Sequence, residues 1–374
     1  MANSLNHLIP DLYASMDVVS REMAGFVPSV TLDASAERAS LNQAIRIPIT
    51  PAAKAEDTSP GQLPPDDGDQ TIGNTPFTIS KSRAVPFRWT GEEQKGVSTG
   101  VGYANIRRDQ ITQAMRTLVN EIEVDIGLQA FKASRASGAP GVTPFASNLG
   151  DTAQVLKILK DNGAPTSDLQ CVIDTTAGAS LRTLAQLTKA NEAGTTAVRA
   201  QGTLIELHGF SLRESAGVAI HEPGTGAGYL TNGALTAGTF LIPVDTGTGT
   251  ILAGDVITLG NFQYVVAADL VGGVVAIGAP GLREAMATGS AVSLLSSYTA
   301  NFAFSRSAIV VATRAPALPE EGDMADDHVM ITDPRTGMSF EVSMYKQYKR
   351  VRYEVAAAWG VQNIKPEHTA ILLG

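Results

Sequence analysis

The stretch Gly96 to Gln110, GVSTGVGYANIRRDQ, runs glycines straight into a helical pattern, the arrangement that phosphate-binding loops use. A P-loop must follow its glycines with Lys and Ser or Thr, so that backbone amides cradle the phosphate while the lysine neutralises it. Here Tyr103 follows Gly102. A dinucleotide fingerprint would need a third glycine where Asn105 stands, and a strand carrying an acidic residue after the helix. A long amphipathic helix follows instead. Phosphate chemistry is therefore not supported. The stretch is expected to be a flexible connection, with Gly96, Gly100 and Gly102 as a candidate hinge, because glycine allows φ/ψ changes that other residues resist.

Other chemical candidates fare no better. Asp66, Asp67 and Asp69 suggest a calcium loop, but the twelfth position counted from Asp66 is Phe77 rather than the bidentate Glu that an EF-hand requires. Asp326, Asp327 and His328 are chain neighbours, which point to opposite faces of an extended strand. His7, His208, His221 and His368 lack Cys or carboxylate partners at ligand spacing. The single cysteine, Cys171, lies in LQCVID with the alternation of a buried strand; it is expected to be a small hydrophobe in a protein made in a reducing compartment. No nucleophile elbow occurs. The expectation is a protein that is not an enzyme and has no cofactor or metal. The one dense basic run, Lys346, Lys349, Arg350 and Arg352 in YKQYKRVRY, could meet DNA or an acidic partner, but split between two faces of a strand it better suits a solvated or intersubunit face.

The chain has 374 residues, 44% hydrophobic and 17% charged, enough for several packed units of an ordered globular protein. A net charge of -9 and a pI near 5.1 argue against a protein that grips nucleic-acid phosphates. The first residues carry Asp11, Asp17 and Glu22 and lack a signal-peptide pattern, and no apolar run reaches the ~20 residues of a membrane span. A soluble, unexported protein is expected.

The elements that would position these residues follow from periodicity. Residues 1–40, broken by Pro10 and Pro28, suggest an N-terminal arm with short helical pieces. Ile45, Ile47 and Ile49 alternate as a strand, residues 51–74 have the Pro, Gly and Asp content of a loop, and Phe77, Ile79, Val85, Phe87 and Trp89 alternate again. Residues 41–95 therefore form an extended hairpin, which has no core of its own and must lie on something. Within 96–140, Ile111, Met115, Leu118, Ile122, Ile126 and Phe131 make one face of a helix over Ile106 to Ser134. Residues 141–220 alternate helix and strand, with Asp151 as a candidate cap of DTAQVLKILKDNG and ASLRTLAQLTKAN as a helix. From His221 to Thr299, helix signals fade and short apolar runs alternate with Gly-rich turns, as in a small inserted β-barrel. Residues 300–374 return to the core with strands at HVMIT, SFEVSMY and YKRVRYEVAAAW. The class is α+β.

This order resembles the major coat proteins of tailed double-stranded DNA phages, the P-22-type podovirus family with an HK-97-like fold and an added β-barrel insertion. The resemblance lies in Ile47-Pro48-Ile49, in Leu118, Asn120, Ile122 and Glu123 of the long helix, and in Gly202-Thr203-Leu204 with Gly209-Phe210 and Arg213. It continues in Asn301, Phe304 and Ala308-Ile309 with Pro316 and Pro319, and in Ala358-Trp359-Gly360-Val361 with Lys365-Pro366-Glu367. It implies an N-arm, an E-loop hairpin, a P-domain spine helix and an A-domain. It also implies pentamers and hexamers of an icosahedral shell that matures by expansion, with a scaffolding protein, a portal, packaged DNA bound without sequence specificity and decoration proteins as partners. The place implied is the virion capsid, assembled in the host cytoplasm. Ile45, Ile47, Ile49, Phe77, Ile79, Phe87 and Trp89 would carry intersubunit contacts. An encapsulin-type shell would lack the inserted module, and a phosphate-binding enzyme is the remaining alternative.

Overall fold

The computed structural model describes residues 9–22, 25–49, 73–97, 103–184, 206–333 and 337–374. Helix α1 (Ile9–Glu22) leads to β1 (Thr31–Ala39), β2 (Ala44–Ile49), β3 (Gly73–Thr78), β4 (Lys81–Thr90), α2 (Gly91–Val97) and α3 (Tyr103–Gly127). Next come β5 (Arg135–Ser137), α4 (Gly150–Asp161), β6 (Leu169–Ile173), α5 (Thr175–Thr183), β7 (Glu206–Leu207), β8 (Phe210–Glu214) and β9 (Ile220–His221). Six short strands follow: β10 (Tyr229–Thr231), β11 (Leu241–Asp245), β12 (Val256–Leu259), β13 (Phe262–Val271), β14 (Val274–Ile277) and β15 (Ala291–Leu294). The last are β16 (Tyr298–Ser305), β17 (Ile309–Pro316), β18 (Asp327–Thr332), β19 (Ser339–Gln347), β20 (Arg350–Asn363) and β21 (Thr369–Leu373).

The organising element is α3. Ile111, Met115, Leu118, Ile122 and Ile126 recur at helical spacing and are all buried, packed between α1 and the sheet strands β4 and β20. The helix starts at Tyr103, before the expected Ile106, and stops short of Ser134, tightening into a 3-10 turn over Leu128–Lys132. The early stop has a cause. The Ser134 backbone N–H donates to Thr369 O, so the chain must leave its helical ladder to enter a sheet.

Among the described residues, six strands form the sheet under α3, in the order β1, β17, β20, β19, β18, with β4 also paired to β20. Two sequence expectations are corrected here. Residues 9–39 are not a free arm: Leu12, Met16 and Val19 of α1 bury themselves against α3, and β1 runs parallel to β17 as a strand of the sheet. Pro10 falls in the first turn of α1, where its missing N–H costs nothing. Nor does β4 belong to the extended hairpin. It pairs with β20 from Lys81↔Trp359 to Thr90↔Arg350, so the hairpin ends at Thr78. An alternating pattern shows that one face of β4 is covered, but not which strand pairs with its edge.

The hairpin proper is β2 against β3, from Ala44↔Thr78 to Ile49↔Gly73, a reach of roughly 20 Å. Its root is seated in a small core of Ala39, Phe77, Ile79, Ala312 and Ala358, with Ile45 packed against it. Gly360 lets that root cross β20: a Cβ there would sit 2.1 Å from Thr78 O. Its acidic turn, with Asp66, Asp67 and Asp69, lies outside the described residues.

Beside this sheet, β6 and β8 run parallel and join β16, β21 and β5, with α4 and α5 packed over a second core that includes Phe145, Leu159, Leu181 and Phe210. Asp174 caps α5, accepting from Thr176 N and Ala177 N at 3.0 and 2.9 Å. Asp151, expected to cap α4, lies inside the helix; its carboxylate accepts the Phe145 N–H at 2.7 Å and anchors the preceding loop. The end of the expected helix ASLRTLAQLTKAN lies outside the described residues.

The strands between His221 and Thr299 pair in a closed ring. β12 pairs β15, then β10, β11, β14 and β13 follow in turn, and β13 pairs β12 again, every pairing antiparallel. Closure removes the sheet edges and encloses Ile242, Ile257, Leu259, Tyr264, Val266 and Val275. The chain enters this barrel from β9 and leaves into β16, and those two strands pair at Tyr298↔His221 and Thr299↔Ile220.

Candidate functional site

Among the described residues, no group of three or more His, Cys, Asp or Glu side chains could hold a metal ion. Cys171 faces the core behind α4, and burial pushes its thiol up to about 12, far from nucleophilic at neutral pH. Asp326 pairs with Lys346 at 3.5 Å rather than with His328. His208 shares a hydrogen bond with Thr152 Oγ1 at 2.8 Å.

The nearest approach to a catalytic pair is His221 Nε2 against Asp255 Oδ1 at 2.7 Å, which sequence spacing did not reveal because 34 residues separate them. Its surroundings show a structural role. Asp255 is fully buried and also accepts from the backbone N–H groups of Gly224 and Leu252, while the imidazole lies between the rings of Phe131 and Tyr298. Tyr298 Oη donates to Gly254 O at 2.5 Å. These contacts buckle the barrel to the core. Arg283 adds to them by donating to Asp161 O at 3.1 Å, as does the pairing of β13 with β5.

The residues expected at subunit contacts divide three ways. Phe77, Ile79 and Trp89 are at most 9% exposed and pack into this subunit's own core. Trp89 donates from Nε1 to Gln110 Oε1 at 2.7 Å, tying β4 to α3. Phe87 is partly buried and stacks on Tyr353 at 5.4 Å, also within the subunit. Ile45 is half-buried at the hairpin root, and the backbones of Ile47 and Ile49 pair with Thr75 and Gly73 farther out.

Of the candidate hinge, Gly96 is the penultimate residue of α2 and a Cβ would meet nothing within 4 Å, so its helical conformation does not require glycine. Gly100 and Gly102 lie outside the described residues.

The assembled picture is a two-stranded hairpin that pairs with no other strand among the described residues, rooted on a sheet that carries a long helix, next to a smaller α/β layer and a buckled barrel. Compared with solved structures, it matches the capsid structure of the cyanophage P-SCSP1u with a TM-score of 0.50 at 12% identity, over 94% of this chain and 88% of that one. The two share a fold. It is the α+β, HK-97-like phage-capsid architecture expected from the order of elements in the sequence. Similarity at lower scores extends to a Mycobacterium phage Che8 structure (TM-score 0.49, 12% identity, 88% of this chain and 84% of that one). It also extends to the virus-like particle from Pyrococcus furiosus (0.45, 9% identity, 98% and 99%). No family model matches the chain, and no curated protein matches it by sequence.

One end of the sheet stands out in this fold. The loop before β18 and the turn between β19 and β20 carry Met324, 91% exposed, and Tyr348, 87% exposed. Sequence reading recognised the basic run there, but not its acidic neighbour.

Proposed function

We propose that the chain is the shell-forming subunit of a capsid, the major capsid protein of a tailed double-stranded DNA phage. The observation that carries this is the capsid fold shared with the cyanophage structure over nearly the whole of both chains. The hairpin supports it physically. A two-stranded ribbon is marginal in water by itself, so β2 and β3 need a surface to lie on, and a neighbouring subunit can supply one. Net charge of -9 suits a container from which DNA must later be released.

In this reading, copies form pentamers and hexamers of an icosahedral shell, first as a precursor around a scaffolding protein and a portal in the host cytoplasm, then expanded as DNA enters. Decoration proteins are further candidate partners. The inserted barrel is the feature that fits the P-22-type branch of these proteins, and the buckle at His221 makes it a brace of the subunit that bears it.

Negative-stain microscopy of the full chain, expressed alone and with its neighbouring genes, is expected to show shells, sheets or tubes. A persistent monomer that binds nucleotide would sink the proposal. Deleting Asp57 to Gly73 is expected to leave folding intact and assembly poor; wild-type assembly of that variant would remove the hairpin from the contact. The hinge role falls to Gly100 and Gly102. Replacing both with Ala is expected to impair shell expansion more than subunit folding, as read by particle diameter against circular dichroism.

A further inference from the structure

The end of the six-stranded sheet carries two lobes of opposite charge. One is the loop Pro319 to Asp326, with Glu320, Glu321 and Asp323 exposed around Met324. The other is the β19–β20 turn, where Lys346, Lys349 and Arg350 are exposed around Tyr348. They are side by side because Asp327 pairs with Met344 and Lys346 with Val351 in the same sheet.

Both lobes are held in place. The Tyr345 hydroxyl donates to Asp323 Oδ2 at 2.5 Å, Lys346 N donates to Asp326 Oδ2 at 2.7 Å, and the Lys346 ammonium lies 3.5 Å from Asp326. These internal contacts leave charge over. Glu320, Glu321, Lys349 and Arg350 have no ion-pair partner among the described residues. Each lobe also exposes one large apolar side chain at its centre, a costly arrangement in a monomer and the usual anatomy of an interface, with an apolar anchor inside a charged rim. A groove of about 1100 Å³ runs between the basic turn and α2, lined by Lys95, Lys346, Tyr348, Lys349 and Arg350, with Glu92 as its acid.

We propose that the acidic lobe of one copy docks on the basic lobe of a second copy of this chain, with Met324 entering the groove beside Tyr348. The inference deepens the shell reading and rests on it. The occupant is a second copy because the chain itself carries the complementary half: Glu320, Glu321 and Asp323 on one lobe and Lys346, Lys349 and Arg350 on the other are all exposed. Such a contact is heterologous. A docked pair still presents one free lobe of each sign, so contacts propagate around an axis until they close into a ring, which a shell can use and an isolated dimer cannot.

The test uses charge exchange in the full-length chain. Lys349→Glu with Arg350→Glu puts two acids at the tip of the basic lobe, and Glu320→Lys with Glu321→Lys puts two bases at the tip of the acidic one. All four side chains are exposed, so circular dichroism and the unfolding midpoint should match wild type for both variants. Juxtaposed like charges disfavour a contact strongly, so each variant alone is expected to lose about tenfold or more of its assembled material in sedimentation. Mixing the two, or joining all four changes in one chain, should restore it. Raising salt from about 0.1 to about 1 M shortens the screening length from about 10 to about 3 Å and should weaken wild-type assembly while rescuing neither variant fully.

Wild-type shells that form normally from either charge-reversed chain would overturn the docking and leave the shell reading standing, as would a four-change chain that folds but does not assemble. A wild-type chain that stays monomeric, with no association between the two variants when mixed, would overturn both.

Discussion

Trp359→Ala is expected to lower the guanidinium midpoint of the subunit more than any other single apolar truncation near α3. Trp359 is fully buried in β20, beneath α3. Truncating a buried Trp costs about 3–5 kcal/mol through lost transfer energy and the cavity left behind. The indole also donates from Nε1 to Asp125 Oδ2 at 2.8 Å, while Lys81 Nζ holds Oδ1 at 2.7 Å. Without the indole, a mostly buried carboxylate oxygen loses its donor, which adds about 1–3 kcal/mol. Against a usual stability of about 5–15 kcal/mol, the variant should be poorly folded at 37 °C. Asp125→Asn keeps an acceptor and a similar volume, and should cost clearly less. A Trp359→Ala chain with the wild-type midpoint would show that the helix is not seated on β20 as described.

Arg38→Ala should come second. Arg38 grips Glu341 with both terminal nitrogens, at 2.9 and 2.5 Å, and donates to Pro316 O at 2.8 Å, so one guanidinium binds β1 to β17 and β19. The Glu341 side chain is only 4% exposed. Removing the arginine leaves a buried carboxylate without its counter-charge, a loss of about 3–5 kcal/mol, most of it the desolvation that the pair had offset. Two companions separate charge from geometry. Arg38→Lys retains the charge but not the two-pronged grip, and should recover part of the loss. Arg38→Met with Glu341→Leu removes both charges and should recover most of it; the measurement is the same unfolding midpoint for all three. If the double replacement is as damaging as Arg38→Ala alone, the loss arises from packing rather than from an orphaned charge.

Several elements could be read before any fold was known. The stripe Ile111, Met115, Leu118, Ile122 and Ile126 marks a helix with one buried face, and LQCVID a strand covered on both sides, because such patterns follow from the 3.6- and 2-residue periods of the backbone itself. The shift from helical patterns to Gly-punctuated apolar runs near His221 marks the stretch that closes as a barrel. The order of these elements carried the resemblance to phage coat proteins. A phosphate loop found no support in the residue types, since Tyr103 stands where a P-loop would need its lysine.

Partnership was not legible. Phe77 and Trp89 look alike in the sequence, each in an alternating run, yet one closes a small core at the hairpin root and the other ties β4 to α3. Arg38 and Glu341 are 303 residues apart, and Trp359 and Asp125 are 234. No local period connects such pairs; they meet only when β1, β17, β20 and β19 are laid side by side and α3 is set on β20.

For GVSTGVGYANIRRDQ, the residue types alone gave no support to a phosphate site and pointed to a helix, which begins at Tyr103 rather than at the expected Ile106. Tertiary structure decided that Gly96 lies in the last turn of α2 beside the basic turn, and that the acidic and basic loops, far apart in sequence from α2, share one end of the sheet. Residue type and local spacing determine which groups can exist in a chain, because chemistry and backbone period are local. Which groups face each other, and which are left for a second copy, is decided by strand order, because pairing edges are chosen by the global burial of apolar faces.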